Sequence, residues 1–122
     1  MSATVLVIDD DADVRDSLQA AFERAGYRVV TAADGDAGLA AAERESPGLV
    51  VVDMMMPRKS GFLVLEKLKA RAAAPPVIMI TANEGGQHQA YAARLGVDDY
   101  LRKPFDLDRL LASARRLCPP EE

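Results

Sequence analysis

The regular alternation of short apolar runs with longer amphipathic stretches is the feature that most constrains the fold. Each apolar run is four or five residues long and rich in Val, Ile or Leu, which is typical of buried strands. When helices separate successive strands, the strands lie parallel and the helices cover both faces of the sheet. The sequence therefore predicts an α/β fold with a five-stranded parallel sheet. The expected strands cover residues 5–8, 27–31, 49–52, 77–80 and 97–101.

The intervening stretches predict five helices, and four of them are preceded by a candidate N-cap: Asp11, Asp34, Ser60 or Asp106. The fourth helix, expected over residues 87–95, has a poor apolar stripe. The other helices are more clearly amphipathic. The residues expected on inner faces are Val14, Leu18, Ala21, Phe22 and Ala25 in the first helix, Phe62, Leu65 and Leu68 in the third, and Leu107, Leu110, Leu111, Ala114 and Leu117 in the last.

Length and composition place limits on the class of protein. The 122 residues suffice for one domain, expected over residues 3–117 with a short tail at 118–122. A net charge of −4 argues against direct binding of nucleic acid, which requires a basic surface. The chain shows neither a leader peptide nor a membrane-spanning run, and its single cysteine, Cys118, cannot form an internal disulfide. We therefore expect a cytoplasmic protein without membrane contact.

Polar side chains stand at the ends of all five predicted strands. Ligands of open α/β sheets bind at the carboxyl ends of strands, so these residues are candidates for one shared site. Carboxylates, a hydroxyl and a lysine together are suited to phosphoryl transfer, although each of these residues taken alone can be explained by an ordinary structural role. Thr81, for example, is equally well explained as a strand-end threonine whose hydroxyl hydrogen-bonds to its own backbone. The residues are Asp9, Asp10 and Asp11, Thr31, Asp53, Thr81 and Lys103.

The acidic residues also predict a metal site. If the first and third strands are neighbours, Asp9 or Asp10 meets Asp53, and crowded carboxylates repel unless one is protonated or a cation lies between them. Mg²⁺ suits a site with few carboxylates that leaves room for water and phosphate. Asp11 is better explained as a helix cap.

Four short motifs, in this order and spacing, resemble the receiver domain of two-component response regulators. They are VIDD at 7–10, VDMMMPRKSG at 52–61, ITA at 80–82 and DDYLRKPF at 98–105, and each is weak alone. The resemblance covers about residues 4–117. It implies a doubly wound, flavodoxin-like (βα)5 fold with strand order 2-1-3-4-5. It also implies a phosphorylation-dependent switch, with no output domain in these residues.

The resemblance assigns a role to each matching residue. Asp53 would be the phosphoacceptor, Lys103 would pair with the phosphoryl group, and Thr81 would bond a phosphoryl oxygen. Tyr100 would turn inward on activation, and the bond from Lys103 to Pro104 would be cis. The Mg²⁺ ligands would be Asp10 directly, Asp9 mainly through water, Asp53, and the backbone carbonyl of Met55.

The resemblance also implies partners and a reaction. A sensor histidine kinase or phosphotransfer protein would donate the phosphoryl group, and a downstream protein or an output domain would receive the signal through the fourth helix, fifth strand and fifth helix. The same surface could form a phosphorylation-dependent dimer. The chain would catalyse only its own phosphorylation and dephosphorylation. Met55 and Asn83, at the two variable positions of the family, cannot activate water well, so hydrolysis is expected to be slow to moderate.

Three other classes of protein fit parts of the pattern. A haloacid-dehalogenase-type phosphatase uses Asp-x-Asp after its first strand, with Asp9 as the nucleophile, but its lysine precedes the later acidic pair, whereas Lys103 follows it. A flavodoxin-type electron carrier would suffer repulsion between its phosphate and the acidic residues after the first strand. A purely structural interaction module would leave Asp53 unmodified.

Overall fold

The computed structural model of the protein describes residues 3–56, 59–82 and 86–120. Five strands alternate with five helices along the chain, as predicted. The strands are β1 (Thr4–Ile8), β2 (Arg28–Ala32), β3 (Leu49–Asp53), β4 (Val77–Thr81) and β5 (Asp99–Arg102). The helices are α1 (Ala12–Arg24), α2 (Gly35–Glu45), α3 (Gly61–Lys69), α4 (Gly86–Arg94) and α5 (Leu107–Leu117).

The strands form one sheet in the order β2-β1-β3-β4-β5, and all four pairings are parallel. This confirms the doubly wound fold and the predicted strand order. Ile8 pairs with Val52, Asp53 with Ile80, and Thr81 with Arg102. The carboxyl ends of β1, β3, β4 and β5 therefore lie side by side at one edge of the sheet, where ligands of such folds bind.

Both faces of the sheet are buried. On one face, side chains of β1, β3 and β4 pack with α1 and α5 around Phe22 and Leu110. On the other, α2, α3 and α4 cover a second cluster that includes Leu65 and Met79. Because helices cover the central strands on both sides, the sequences of these strands are continuously apolar. α4 contributes one buried residue, Ala92, which agrees with its poor stripe.

The four predicted N-caps are confirmed: the side chains of Asp11, Asp34, Ser60 and Asp106 each accept a hydrogen bond from a backbone N–H of the first helical turn. The strand predictions are correct within two residues at each end. The cis peptide bond between Lys103 and Pro104 is also confirmed.

The predicted inner faces are confirmed with the exception of Leu107. Leu107 is 37% exposed because it is the first residue of α5 and borders an open groove against α1. Phe62 is on the inner face as predicted, since it packs partly buried against the core and against Tyr91 of α4. Val64, which was not predicted, is fully buried in the core. Ser113 is buried although it is polar, because its hydroxyl donates to Asp99 over 2.6 Å.

Some predictions concern residues outside the described ranges: Pro57 and Arg58 of the second motif, Asn83 at a variable position, and the last two residues of the tail. Within the described ranges, every helix is too short or too polar to cross a membrane.

Candidate functional site

Three carboxylates meet at the carboxyl edge of the sheet. Asp53 is the last residue of β3, and Asp9 directly follows β1. Asp9 is fully buried and Asp53 is 5% exposed, whereas Asp10 is exposed. One carboxylate oxygen from each of the three lies within 4.8 Å of the others. This acidic cluster (Asp9, Asp10 and Asp53) could hold a cation that prefers oxygen ligands.

Asp9 is held rigidly, but one of its oxygens makes no hydrogen bond. Its backbone N–H donates to the carbonyl of Ala32 over 3.1 Å, and its Oδ1 accepts from the N–H of Asp11 over 2.9 Å. Its Oδ2 is buried and has no hydrogen-bond donor within the described residues. A buried carboxylate oxygen without a donor is costly, and a bound cation would remove that cost. The donor set therefore fits Mg²⁺.

Asp53 is positioned by the chain that follows it. The Met55 N–H donates to Asp53 Oδ1 over 3.3 Å, and the Met54 N–H donates to the carbonyl of Ile80 over 2.8 Å. Gly61, the first residue of α3, donates to the carbonyl of Met54 over 2.9 Å. Met54 is buried, but Met55 is 59% exposed. Asp53 is thus held between β4 and the start of α3, with its carboxylate at the rim.

Lys103 supplies the positive charge of the site. Its Nζ lies 3.7 Å from Asp9 Oδ2 and 4.0 Å from Asp53 Oδ1, which are ion-pair distances too long for good hydrogen bonds. Its backbone N–H donates to the carbonyl of Thr81 over 2.7 Å, which ties the residue to the end of β4. The ammonium therefore faces two carboxylates and can also pair with a negatively charged group that lies between them.

Thr81 and Tyr100 connect the site to β5. Thr81 is fully buried, and its side chain is hydrogen-bonded to the Tyr100 side chain. The Tyr100 ring packs partly buried against the core, and its hydroxyl lies 3.7 Å from Met54 Sδ. In this structure Tyr100 is already directed inward.

Burial and mutual repulsion raise the pKa of Asp53 and the pKa of Asp9. Burial has the largest effect on Asp53, and the neighbouring Asp9 carboxylate adds to it, so that the pKa rises to about 6 despite the opposing charge of Lys103. Burial likewise raises the pKa of Asp9, and its hydrogen bond from Asp11 and the charge of Lys103 oppose that rise. The raised pKa values mean that the ionised carboxylates are destabilised in the folded chain. A bound cation would stabilise them.

Asp53→Asn is expected to stabilise the metal-free chain at neutral pH. An unfolded Asp53 ionises near its ordinary pKa of 3.8 and the folded one near 6. The folded state therefore retains a proton that the unfolded state has lost, and stability falls as the pH rises through this window. The fall is up to about 3 kcal/mol. Urea unfolding in a chelator should show a variant more stable than the parent by about 3 kcal/mol at pH 7.5, which is above both pKa values, and by only about 1 kcal/mol at pH 4.5. Equal differences at both pH values would contradict the raised pKa.

The structure brings together most of the residues predicted from the strand ends. Asp9, Asp10, Asp53, Thr81 and Lys103 lie at one rim. Thr31 does not join them, because β2 continues to Ala32 and Thr31 is exposed on the outermost strand. Asp11 caps α1, as predicted.

Arg15 was missed by the reasoning from sequence. Its Nη1 donates to the backbone carbonyl of Asp9 over 2.8 Å, so a guanidinium lies beside the acidic cluster. A helical side chain points back over the preceding turn. Arg15 stands four residues after the cap Asp11, a spacing that could have revealed the contact.

Comparisons with known proteins agree with this site. Residues 5–115 match the sequence pattern described as response regulator receiver domain. The alkaline phosphatase synthesis transcriptional regulatory protein PhoP of Bacillus subtilis is 39% identical over 105 residues, covering 86% of this chain and 44% of that protein. The DNA-binding dual master transcriptional regulator RpaA of Synechocystis is 41% identical over 115 residues, covering 93% and 48%. The chain spans about half the length of the curated relatives it matches.

Solved structures show the same fold. The chemotaxis protein CheY4 of Vibrio cholerae aligns with a TM-score of 0.87 and 28% identity, over 96% of this chain and 99% of that one. The receiver domain of NtrX from Brucella abortus aligns with a TM-score of 0.86 and 34% identity, over 93% and 96%. The chain belongs to the response regulator receiver domain family.

Membership decides between the classes of protein left open by the sequence. The chain is a receiver domain of the two-component response regulators and a signalling domain that works through phosphorylation. The comparisons give no support to a haloacid-dehalogenase-type phosphatase with Asp9 as nucleophile.

Proposed function

We propose that Asp53 is the residue that accepts the phosphoryl group, in a site completed by Asp9, Asp10, Thr81 and Lys103. The observation that carries this proposal is the position of Asp53 at the rim. Asp53 ends a central strand, its carboxylate lies 4.0 Å from the Lys103 ammonium, and the residue is 5% exposed. Asp9, the other carboxylate near Lys103, is fully buried.

The chemistry follows from the charges around Asp53. One of its carboxylate oxygens would attack phosphorus in line, and the bond from phosphorus to the donor would break as the acyl phosphate forms. Negative charge on the transferred group would be met by the Lys103 ammonium on one side. The Met55 N–H fixes the orientation of the nucleophile, because it donates to Asp53 Oδ1. In this proposal the chain would catalyse only its own phosphorylation and dephosphorylation.

Asp10, Asp53 and the Met55 carbonyl would hold Mg²⁺ directly, with Asp9 acting mainly through water. When bound, the ion would neutralise charge on the transferring phosphoryl group. Two observations support a bound cation here. The buried Asp9 Oδ2 has no hydrogen-bond donor within the described ranges, and the pKa of Asp53 is raised. Arg15 would keep Asp9 in place, since it binds the Asp9 carbonyl.

The switch would run from Asp53 through Thr81 to Tyr100. Added phosphate would draw the Thr81 hydroxyl towards it and break or rearrange the hydrogen bond that Thr81 makes with Tyr100. The inward position of Tyr100 in this structure is the one that the proposal assigns to the signalling state. The surface that changes would be formed by α4, β5 and α5, where a partner protein, an output domain or a second copy could read the change.

Hydrolysis of the phosphorylated chain is expected to be slow to moderate. Met55 and Asn83 occupy the two positions that tune this step in the family, and neither carries an acid or base to activate water. The half-life of the acyl phosphate, followed by phosphate release after removal of the donor, should be minutes or longer. A half-life of seconds would contradict this expectation.

The phosphoryl donor would be a sensor histidine kinase or a phosphotransfer protein in the cytoplasm. The receiver domain would extend over residues 3–117, with 118–122 as a short tail. Its target would be a protein or an output domain, and the chain would not contact nucleic acid or membrane itself. The transcriptional-regulator names of PhoP and RpaA support an output step in gene control.

Incubation with acetyl phosphate tests the proposal. The expected result is one phosphoryl adduct by intact mass, formed with Mg²⁺ and absent in a chelator. An adduct that forms equally well without divalent metal would contradict the proposed site. If no adduct forms, beryllofluoride titration would separate a site that requires its own kinase from a chain that is not phosphorylated.

A further inference from the structure

Among the described residues, Met55 is the methionine most open to solvent. It is 59% exposed, whereas Met54, Met56 and Met79 are 2%, 8% and 0% exposed. Met1, the fifth methionine of the chain, lies outside the described ranges. A thioether is oxidised most readily where an oxidant in solution can reach its sulfur. Of the four described methionines, Met55 is therefore the one expected to be oxidised in the folded chain.

The same residue is hydrogen-bonded to the proposed phosphoacceptor. The Met55 N–H donates to Asp53 Oδ1 over 3.3 Å. The Cβ of Met55 is two covalent bonds from that nitrogen, so the side chain begins beside the Asp53 carboxylate and extends from the rim into solvent. A chemical change on this side chain would therefore take place next to the acyl phosphate of the proposed function.

Oxidation would give the Met55 side chain a new hydrogen-bond acceptor. A thioether sulfur is only a weak acceptor. When hydrogen peroxide transfers one oxygen atom to Sδ, the O–O bond breaks, an S=O bond forms, the sulfur loses two electrons and the peroxide leaves as water. The resulting sulfoxide is polar, and thiol-dependent reductases return it to the thioether. Because Met55 is exposed, the change leaves the core packing intact.

The other described sulfur atoms lie away from the rim or inside the core. Met54 and Met56 are buried in the cluster that α2, α3 and α4 cover. Cys118 is half-buried after α5 and packs beside Gly48, which precedes β3 at the opposite edge of the sheet. Within the described ranges, an oxidant that reaches the rim therefore meets one sulfur-containing side chain, that of Met55.

We propose that Met55 is an oxidative modification site, and that its sulfoxide shortens the life of the phosphorylated state. This effect rests on the proposed function, because it acts on the acyl phosphate of Asp53. Hydrolysis of that group needs a water molecule held beside phosphorus. The sulfoxide oxygen accepts a hydrogen bond from such a water, which the thioether does only weakly. Peroxide would thus shorten the signal, and reduction of the sulfoxide would restore it.

The first part of the test locates the oxidation. The full chain is treated with hydrogen peroxide, which catalase then removes, and fragment ions of the digested chain assign each added oxygen to one of the adjacent methionines. In the folded chain we expect Met55 to be oxidised well before Met54, Met56 and Met79. In concentrated urea all four should react at comparable rates, because burial no longer protects three of them.

The second part measures the lifetime of the acyl phosphate. The oxidised chain is phosphorylated with acetyl phosphate and Mg²⁺, freed of donor and followed by phosphate release. Its half-life should be roughly fivefold shorter, the scale of one added hydrogen bond to the reacting water. Treatment with methionine sulfoxide reductases of both stereospecificities should restore it. Met55→Leu retains Met1, Cys118 and the buried methionines, so its half-life should be the same before and after peroxide.

Several results would overturn the proposal. Oxidation of Met54, Met56 or Met79 as fast as that of Met55 in the folded chain would remove the selective site. A half-life that oxidation leaves unchanged, or shortens equally in Met55→Leu, would remove the effect on lifetime. A lower midpoint of urea unfolding in the oxidised parent than in oxidised Met55→Leu would replace it with a loss of stability.

Failure of the proposed function would look different. A chain that gains oxygen selectively at Met55 but takes no phosphoryl group, oxidised or not, would overturn the phosphoacceptor role of Asp53 and the effect on lifetime. The selective oxidation of Met55 would still stand.

Discussion

Gly61→Ala is expected to destabilise the chain by about 2–3 kcal/mol, the upper part of the usual range for an overpacked site. A Cβ at this position would lie 2.3 Å from the backbone oxygen of Asp53 and 2.8 Å from the Cα of Met54. Both are backbone atoms, so no side-chain rotation can relieve the contact. Urea unfolding should show the loss as a lower midpoint with an unchanged slope.

Gly86→Ala is the matched control for this substitution. Gly86 is also the first residue of a helix, but a Cβ there would meet nothing within 4 Å. Its substitution should change stability by less than about 1 kcal/mol, with a slight gain from reduced freedom of the unfolded chain. A Gly61→Ala variant as stable as Gly86→Ala would mean that α3 does not begin as close to Asp53 as the structure shows.

Lys103→Met is expected to reduce the rate of phosphorylation by acetyl phosphate by about a hundredfold, the scale on which loss of one positioned charge affects such reactions. Lys103 Nζ lies 4.0 Å from Asp53 Oδ1, and in the proposed function its ammonium would meet the incoming phosphoryl group. Methionine retains most of the apolar length of the side chain but removes the charge. The rate of adduct formation by intact mass, at saturating Mg²⁺, measures the effect.

The same substitution should also move the titration of the site. Lys103 lowers the pKa of Asp53 and of Asp9, so its removal should raise both further. Lys67→Met, at an exposed position of α3, removes the same charge away from the site and should alter neither rate nor titration. A Lys103→Met chain phosphorylated as fast as Lys67→Met would show that the ammonium takes no part in transfer.

The fold could be predicted from the sequence because the apolar runs, the helical spacing and the helix caps all indicated the same order of strands and helices. The valine-rich runs gave the strands, and the caps Asp11, Asp34, Ser60 and Asp106 gave the starts of four helices. What the periodicity could not show was packing between helices. Phe62 packs against the core as its spacing predicted, but it also packs on Tyr91 of α4, and that contact depends on how the two helices approach each other.

The site was predictable only in part, for a related reason. Strand ends brought Asp9, Asp53, Thr81 and Lys103 together, because parallel strands place their carboxyl ends at one edge. Thr31 satisfied the same rule, but β2 continues to Ala32, and β1 lies between β2 and the strand that carries Asp53. Arg15 was missed because its long side chain bonds a backbone carbonyl, which the residue types do not identify, and only its spacing of four residues from the cap Asp11 pointed to the contact.

Locating the phosphoryl group on the chain tests the central claim most directly. The chain would be incubated with acetyl phosphate and Mg²⁺, reduced with borohydride to convert the acyl phosphate to a stable alcohol, digested, and sequenced by mass spectrometry. We predict that the reduced residue is Asp53 and that Asp53→Asn takes no adduct. Modification at Asp9 or Asp10 in the parent chain, or an undiminished adduct on the Asp53→Asn variant, would contradict the assignment of Asp53 as the phosphoacceptor.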